Sequence, residues 1–354
     1  MSMKRLSLLL TFMLTLLLVV AGCSSGNKEA GSEASNGSSG EESYKLKFAH
    51  ESPETSTIHK AVVAFTENVT ELTDGRVQFE IYPAQQLGNA SDYLSLTRDG
   101  VADMANVYPA YFPSEMPNLA NISGLPGLYP SNDIGTKAYW DFVNDETVLD
   151  KDFISNGIRP IAPTAGNTFE IFTNGAEVRT PEDMKGLKIR SSGGVVSELM
   201  EHLGAVPVQM PIGDAYSGLD QGVIDAVNTG FEGTRIAGIE ELLTFSTKNV
   251  TLGANMAVFS INEELYQSFP KDIQDAFIQA GQEGALHYAK ILAEGEVDIV
   301  KGFEEDKKIT VYEPTGDARD QWDKVYDEFI ESNLDEEYKD AYQLFKDAVE
   351  KHSN

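Results

Sequence analysis

Cysteine, histidine and positive charge are all scarce in this chain. One of its 354 residues is cysteine, at position 23, so an intramolecular disulfide and a cysteine-ligated metal are both excluded. The histidines are His50, His59, His202, His287 and His352, and none falls in an HExxH or comparable pair. From Tyr44 onward there is no GxSxG nucleophile elbow, and the chain has no Walker loop and no GxGxxG after a strand. Acidic pairs abound, mostly on faces that read as solvated helix surface. The chain is therefore read as a non-enzyme that needs no cofactor and no metal, with a membrane-anchored hydrolase as the weaker reading. Lys and Arg number 27 against 56 Asp and Glu, a formal net charge of −29. Such a chain is repelled by nucleic-acid phosphates, which excludes nucleic acid as a partner. The same field opposes any small anionic ligand, so a site for one must supply its own local positive potential.

The first residues, "MSMKRLSLLLTFMLTLLLVVAGC", follow the pattern of an export signal: a basic start at Lys4 and Arg5, then an apolar run from Leu6 to Val20. Val20-Ala21-Gly22-Cys23 resembles a lipobox, the cleavage and lipidation signal of bacterial lipoproteins. That resemblance makes 1–22 a signal peptide and Cys23 a lipidated N-terminus on the extracytoplasmic face of the cell membrane. The following residues through Ser43 are rich in Ser, Gly and Glu, and such a composition cannot bury enough apolar surface to offset its ordering entropy. Residues 23–43 are thus expected to be a lipidated, flexible tether. The roughly 310 residues that remain are enough for two domains with sizeable cores.

The body opens with an alternating run around Leu46 and Phe48 that ends near His50, then Ser56 or Thr57 as a helix cap, then Ala61, Val62, Phe65, Val69 and Leu72 at helical spacing. "TDGR" turns the chain into a second alternating run, Val77 to Ile81. Strand, helix, strand implies a parallel pair. A second helix and a third strand, Ala102 to Tyr108, follow, and five prolines from Pro109 to Pro130 mark an irregular stretch. α/β signals resume at Ile158. "FEIFTN", "LKIR", "VPVQM", "VIDAVNTG" and "ANMAVFSIN" read as strands; "VVSELMEHLG" and "IGDAYSGLDQG" read as helices. After Pro270 the pattern is helical for about 35 residues, far beyond an ordinary domain helix, so that helix is expected to run along two lobes.

The stretch "KGLKIRSSGG" places Arg190 where a strand hands over to a helix, beside Ser191, Ser192, Gly193 and Gly194. Serine hydroxyls, glycine backbone and free N–H groups at a helix start favour an anion. Taken alone, Arg190 is equally an ordinary solvated strand residue. His50 ends the first strand and Tyr108 the third, where α/β sheets present residues to a crevice. Either is also at home as a structural residue.

"TDGRVQFEIYPAQQLG", "LTRDGVADMA", "TPEDMKGLKIR" and "YSGLDQGVIDAVN" occur in this order at wide spacing. Together they resemble the extracytoplasmic solute-binding proteins of TRAP (tripartite ATP-independent periplasmic) transporters, of the dicarboxylate-binding (DctP) type, over nearly the whole chain from Tyr44. The resemblance implies an α/β, two-lobed periplasmic-binding-protein-like fold (type II-like), with mixed sheets and a long helix spanning both lobes. The lobes are expected at 44–168 plus 256–294 and at 169–255 plus 295–354. It implies a small organic-acid ligand captured by cleft closure, and a permease of one small and one large membrane subunit driven by an ion gradient. A receptor that presents its ligand to a sensor kinase is the alternative. It also implies that Arg190 pairs with a ligand carboxylate, a role the rigid guanidinium fork suits. The family's ligand-contacting asparagine corresponds to Asn228 or Thr229, shifted by one residue, with Phe231 as an apolar wall. A second arginine found in acid-sugar-binding members is replaced here by Phe169 or Glu170. A carboxylate at Glu170 facing the cleft would repel a second ligand carboxylate, so a monocarboxylate is expected.

Overall fold

The computed structural model describes residues 42–306 and 308–354. The expected signal peptide, Cys23 and nearly all of the tether lie outside the described residues.

Two mixed sheets organise the body. The first has the order β2-β1-β3-β10-β4, with β1 at Tyr44–Ala49, β2 at Val77–Tyr82, β3 at Met104–Val107, β4 at Ile158–Thr168 and β10 at Ala254–Asn262. β1 pairs in parallel with both β2 and β3, as the strand-helix-strand pattern implies, while β10 runs antiparallel between β3 and β4. The intervening helix Thr57–Leu72 starts where Ser56 accepts a hydrogen bond from the His59 N–H at 3.1 Å, which satisfies one of the free donors of the first turn. Its stripe of Val62, Phe65 and Val69 is fully or almost fully buried. Phe48, Phe65 and Phe259 meet edge to face in the core beneath, Phe48 and Phe259 at 5.0 Å.

The second sheet has the order β11-β9-β5-β8-β6-β7. Its strands are β5 at Glu170–Thr173, β6 at Lys188–Ser191, β7 at Val206–Gln209, β8 at Ala226–Thr229, β9 at Phe245–Thr247 and β11 at Thr310–Tyr312. Its own core gathers Phe172, Phe231, Ile299 and Phe303.

The chain crosses between sheets at three places. Phe169 alone separates β4 from β5. The segment between β9 and β10 runs beside it, with Phe169 N–H donating to Gly253 O and Leu252 N–H donating to Phe169 O, both at 2.8 Å. The third crossing is the helix Lys271–Asp306, 36 residues and about 54 Å long at the standard rise. It supplies Phe277 to the first core and Ile299 and Phe303 to the second. A Cβ at Gly281 would lie 2.0 Å from the Ile161 carbonyl oxygen, so only glycine lets this helix sit against β4.

Two helices close the chain. Asp317–Asn333 packs beside Pro181–Met184 of the second lobe. Lys339–Ser353, which the sequence placed with the second lobe, instead lies against the helix Asn132–Val143 of the first. Its Phe345 meets Phe142 edge to face at 5.5 Å, and Asp141 takes Lys351 and His352 at 2.7 and 2.8 Å.

Candidate ligand-binding site

A cavity of about 350 Å³ lies between the sheets, at the carboxyl ends of their strands. It continues on either side into pockets of about 470 and 450 Å³ that share several of its walls. The first lobe contributes Glu51, Tyr108 and Tyr111, which follow β1 and β3. The second contributes Arg190 and Thr229 from β6 and β8, with Ser192 and Glu232 just beyond them. Tyr288 of the long helix forms part of the floor.

Arg190 is only 7 % exposed. Its Nε donates to the Met210 carbonyl and its Nη1 to the Asn228 carbonyl, each at 3.0 Å. These acceptors follow or belong to the strands on either side of β6, so the sheet itself aims the guanidinium. Five N–H donors less these two leave three for a ligand. Among the described residues no carboxylate forms an ion pair with Arg190. Burial pulls its pKa down from the ordinary value, and the Tyr111 phenol opposes that shift. A guanidinium remains charged all the same. A buried cation paired only by carbonyls is expensive, and an incoming carboxylate would relieve that cost by two parallel N–H bonds.

The neighbours of Arg190 divide their work. Ser192 lines the cavity, and Gly193 lines the adjoining pocket. Ser191 is fully buried; its hydroxyl pairs with that of Ser197 and accepts the Gly193 N–H at 2.9 Å, so it shapes the turn. Thr229 and Phe169 line the cavity, and so does Tyr108. Asn228 is fully buried and serves through its backbone carbonyl on Arg190.

Three expected contacts stand behind the wall. The His50 ring is fully buried and its Nε2 meets His59 Nδ1 at 3.0 Å; burial first, then His59, push its pKa down to about 4. Phe231 packs edge to face on Phe172 at 5.1 Å within the second core, so it is no ligand wall. Glu170 is 2 % exposed and accepts the Thr247 hydroxyl at 2.7 Å and the N–H groups of Val250 and Thr251 at 3.1 and 3.2 Å. Burial pushes its pKa up to about 7, against the lowering effect of those three donors. It secures the loop leading to the inter-lobe crossing, and the expectation that it guards the cleft against a second carboxylate fails. In each case the adjacent residue takes the cleft position: Glu51 after His50, Glu232 after Phe231, Phe169 before Glu170.

Glu51 and Glu232 are thus the charged site residues that sequence reasoning missed. Both Glu51 oxygens are held: Oε1 by the Tyr108 hydroxyl at 2.9 Å and the Ser52 hydroxyl at 2.8 Å, Oε2 by the Asn106 amide at 3.2 Å. The Tyr108 phenol is driven well above its ordinary pKa by burial and then by Glu51, so it stays a donor. Glu232 accepts the hydroxyl of Thr57 from the opposite lobe, a bond across the cleft. The usable signal was positional, an acid within the first two residues beyond a strand end or at a helix start.

The model of "Bacterial extracellular solute-binding protein, family 7" (DctP) matches residues 48–351. The 2,3-diketo-L-gulonate-binding periplasmic protein YiaO of Escherichia coli is 26 % identical over 261 residues, 73 % of this chain and 78 % of that protein. The crystal structure of a TRAP periplasmic solute-binding protein from Rhodobacter sphaeroides superposes with a TM-score of 0.76 at 23 % identity, covering 86 % of this chain and 99 % of the other. A marine metagenome TRAP solute-binding protein specific for aromatic acid ligands, in complex with metahydroxyphenylacetate, gives a TM-score of 0.75 at 23 % identity, covering 88 % and 100 %. The two structures support the two-lobed fold. With the family model extending over both sheets, the cleft and the long helix, the chain belongs to the bacterial extracellular solute-binding proteins of family 7.

Proposed function

We propose that the protein is the receptor of a TRAP transporter: it captures a small organic acid between its lobes and delivers it to a permease of small and large membrane subunits driven by an ion gradient. The observation that carries this reading is Arg190, nearly buried, aimed by two backbone carbonyls and lining a cavity between the lobes without an acidic partner among the described residues. The cavity's size is that of a small-molecule site. Relatives point the same way, one being named for binding 2,3-diketo-L-gulonate and another described as specific for aromatic acids.

In this reading Arg190, Ser192, Thr229, Phe169 and Tyr108 touch the ligand, while Ser191, Gly193 and Asn228 hold the Arg190 turn in shape. The lobes move about the crossing formed by Phe169 and Leu252–Gly253. Cys23 carries the lipid that keeps the receptor beside its permease, as "VAGC" implies; incorporation of labelled palmitate that is lost in Cys23→Ala tests this part. The main test is calorimetry with a panel of monocarboxylates, dicarboxylates, aromatic acids, sugar acids and amino acids. At least one acid should bind, and binding should release on neutralising its carboxylate as an amide. A panel of carboxylates without a single binder would overturn the proposal.

A further inference from the structure

The cavity lining carries charge of both signs, and the negative charges outnumber the positive. Arg190 is the cation, and Glu51 and Glu232 line the same 350 Å³. The three line one cavity. The Tyr111 phenol, which lines the same cavity, is raised by burial and by Glu51 and lowered by Arg190, so both charges act on it. The Tyr288 phenol is raised by burial, then by Glu232 and Glu51. Neither glutamate forms an ion pair with a basic side chain among the described residues. Three of the roughly four acceptor positions of Glu51 are used by Tyr108, Ser52 and Asn106, which leaves one, and these same bonds hold the carboxylate in place. Glu232 is held through Oε1 by Thr57, leaving Oε2.

We propose that the ligand is a zwitterion: a small carboxylate that also carries a protonated nitrogen, the carboxylate on Arg190 and the nitrogen on Glu51 and Glu232. The inference rests on the function proposed above and narrows its substrate class. Closing the lobes over a nitrogen-free acid would gather three carboxylates around one guanidinium. Like charges brought together out of water oppose closure. A protonated nitrogen offsets one of them and donates charge-assisted bonds to acceptors already aimed. A hydroxyl could fill the same acceptor positions but would leave the charge excess in place. The single-carboxylate expectation is thereby recovered, from Glu51 and Glu232 instead of Glu170.

Calorimetry on the wild-type protein with matched pairs that differ only in ammonium against hydroxyl decides the matter: alanine and lactate, 4-aminobutyrate and 4-hydroxybutyrate, 5-aminopentanoate and 5-hydroxypentanoate, with aromatic and sugar acids alongside. The ammonium member of the best pair should bind roughly tenfold or more tightly than its hydroxyl partner. Glu51→Gln and Glu232→Gln should each shrink that ratio. Equal or reversed preference, or binding confined to nitrogen-free acids, overturns the zwitterion and leaves the carboxylate receptor standing. A preference that survives both substitutions overturns the assignment to these two glutamates. Silence from every carboxylate overturns the receptor reading, and this inference with it.

Discussion

The two walls of the cleft hold their charges by different means. On the second lobe, Arg190 is fixed by backbone carbonyls of the flanking chain, which any side chain at positions 210 and 228 would supply. On the first lobe, Glu51 is fixed by the side chains of Tyr108, Ser52 and Asn106. A charge held by backbone is insensitive to changes around it; a charge held by side chains can be retuned by single substitutions. Arg190 thus provides a general carboxylate anchor, and Glu51 provides selection. At Gly281 the long helix touches β4 of the first lobe, whereas near its end Gly302 has open space where a Cβ would go.

The largest expected effect breaks the anchor. Arg190→Ala should weaken carboxylate binding by about 2–5 kcal/mol, and Arg190→Lys should not restore it, because a point charge cannot form the paired bonds. Affinity in the Lys variant close to wild type, measured by calorimetry, would remove Arg190 from the site.

The next contrast is in pH dependence. The folded pKa of Glu170 is raised from 4.5 to about 7, so its stabilising contribution is complete below pH 4.5 and is lost as pH rises through about 7. That of His50 is lowered from 6.5 to about 4, so its contribution is present above pH 6.5 and is lost as pH falls through about 4. Asp152, raised to about 6, adds to the Glu170 trend. Urea unfolding across this range should show Glu170→Gln losing a decline of the order of 3 kcal/mol between about pH 4.5 and 7. An unchanged pH profile would mean that Glu170 is not sealed from water as described.

Smaller effects probe the helix. Gly281→Ala should cost about 1–3 kcal/mol through overpacking against Ile161. Gly302→Ala, at an exposed helical position, should stabilise by about 0.5–1 kcal/mol. Equal effects from the two in thermal melts would show that Gly281 is not pressed against β4 as described.

Much of this was legible because local pattern carried it. The Ser56 cap, the βαβ start, the strand bearing Arg190 and the long helix all follow from periodicity and turn residues. The helix Asn132–Val143 and the three-residue strand β9 did not stand out. The first follows a run of prolines, and the second is too short to show alternation. At the site, Arg190, Ser192, Thr229, Phe169 and Tyr108 line the cavity, whereas His50, Phe231 and Glu170 each lie one residue from a lining position. Successive side chains of an extended chain face opposite ways, so beside β1 and β5 a one-residue error exchanges cleft for core, and at Phe231, the first residue of a helix, one step along the helix likewise turns the side chain to another face. The direction at a strand end depends on long-range packing: His59 receives His50, Phe172 receives Phe231, and the Thr247–Thr251 loop receives Glu170.

The most direct test is a structure of the protein with its ligand bound. The account predicts the ligand carboxylate on the Arg190 guanidinium between the two sheets, with a ligand nitrogen within hydrogen-bond distance of Glu51 or Glu232. A ligand carboxylate seated away from Arg190, or a ligand bound outside this cleft, would contradict it.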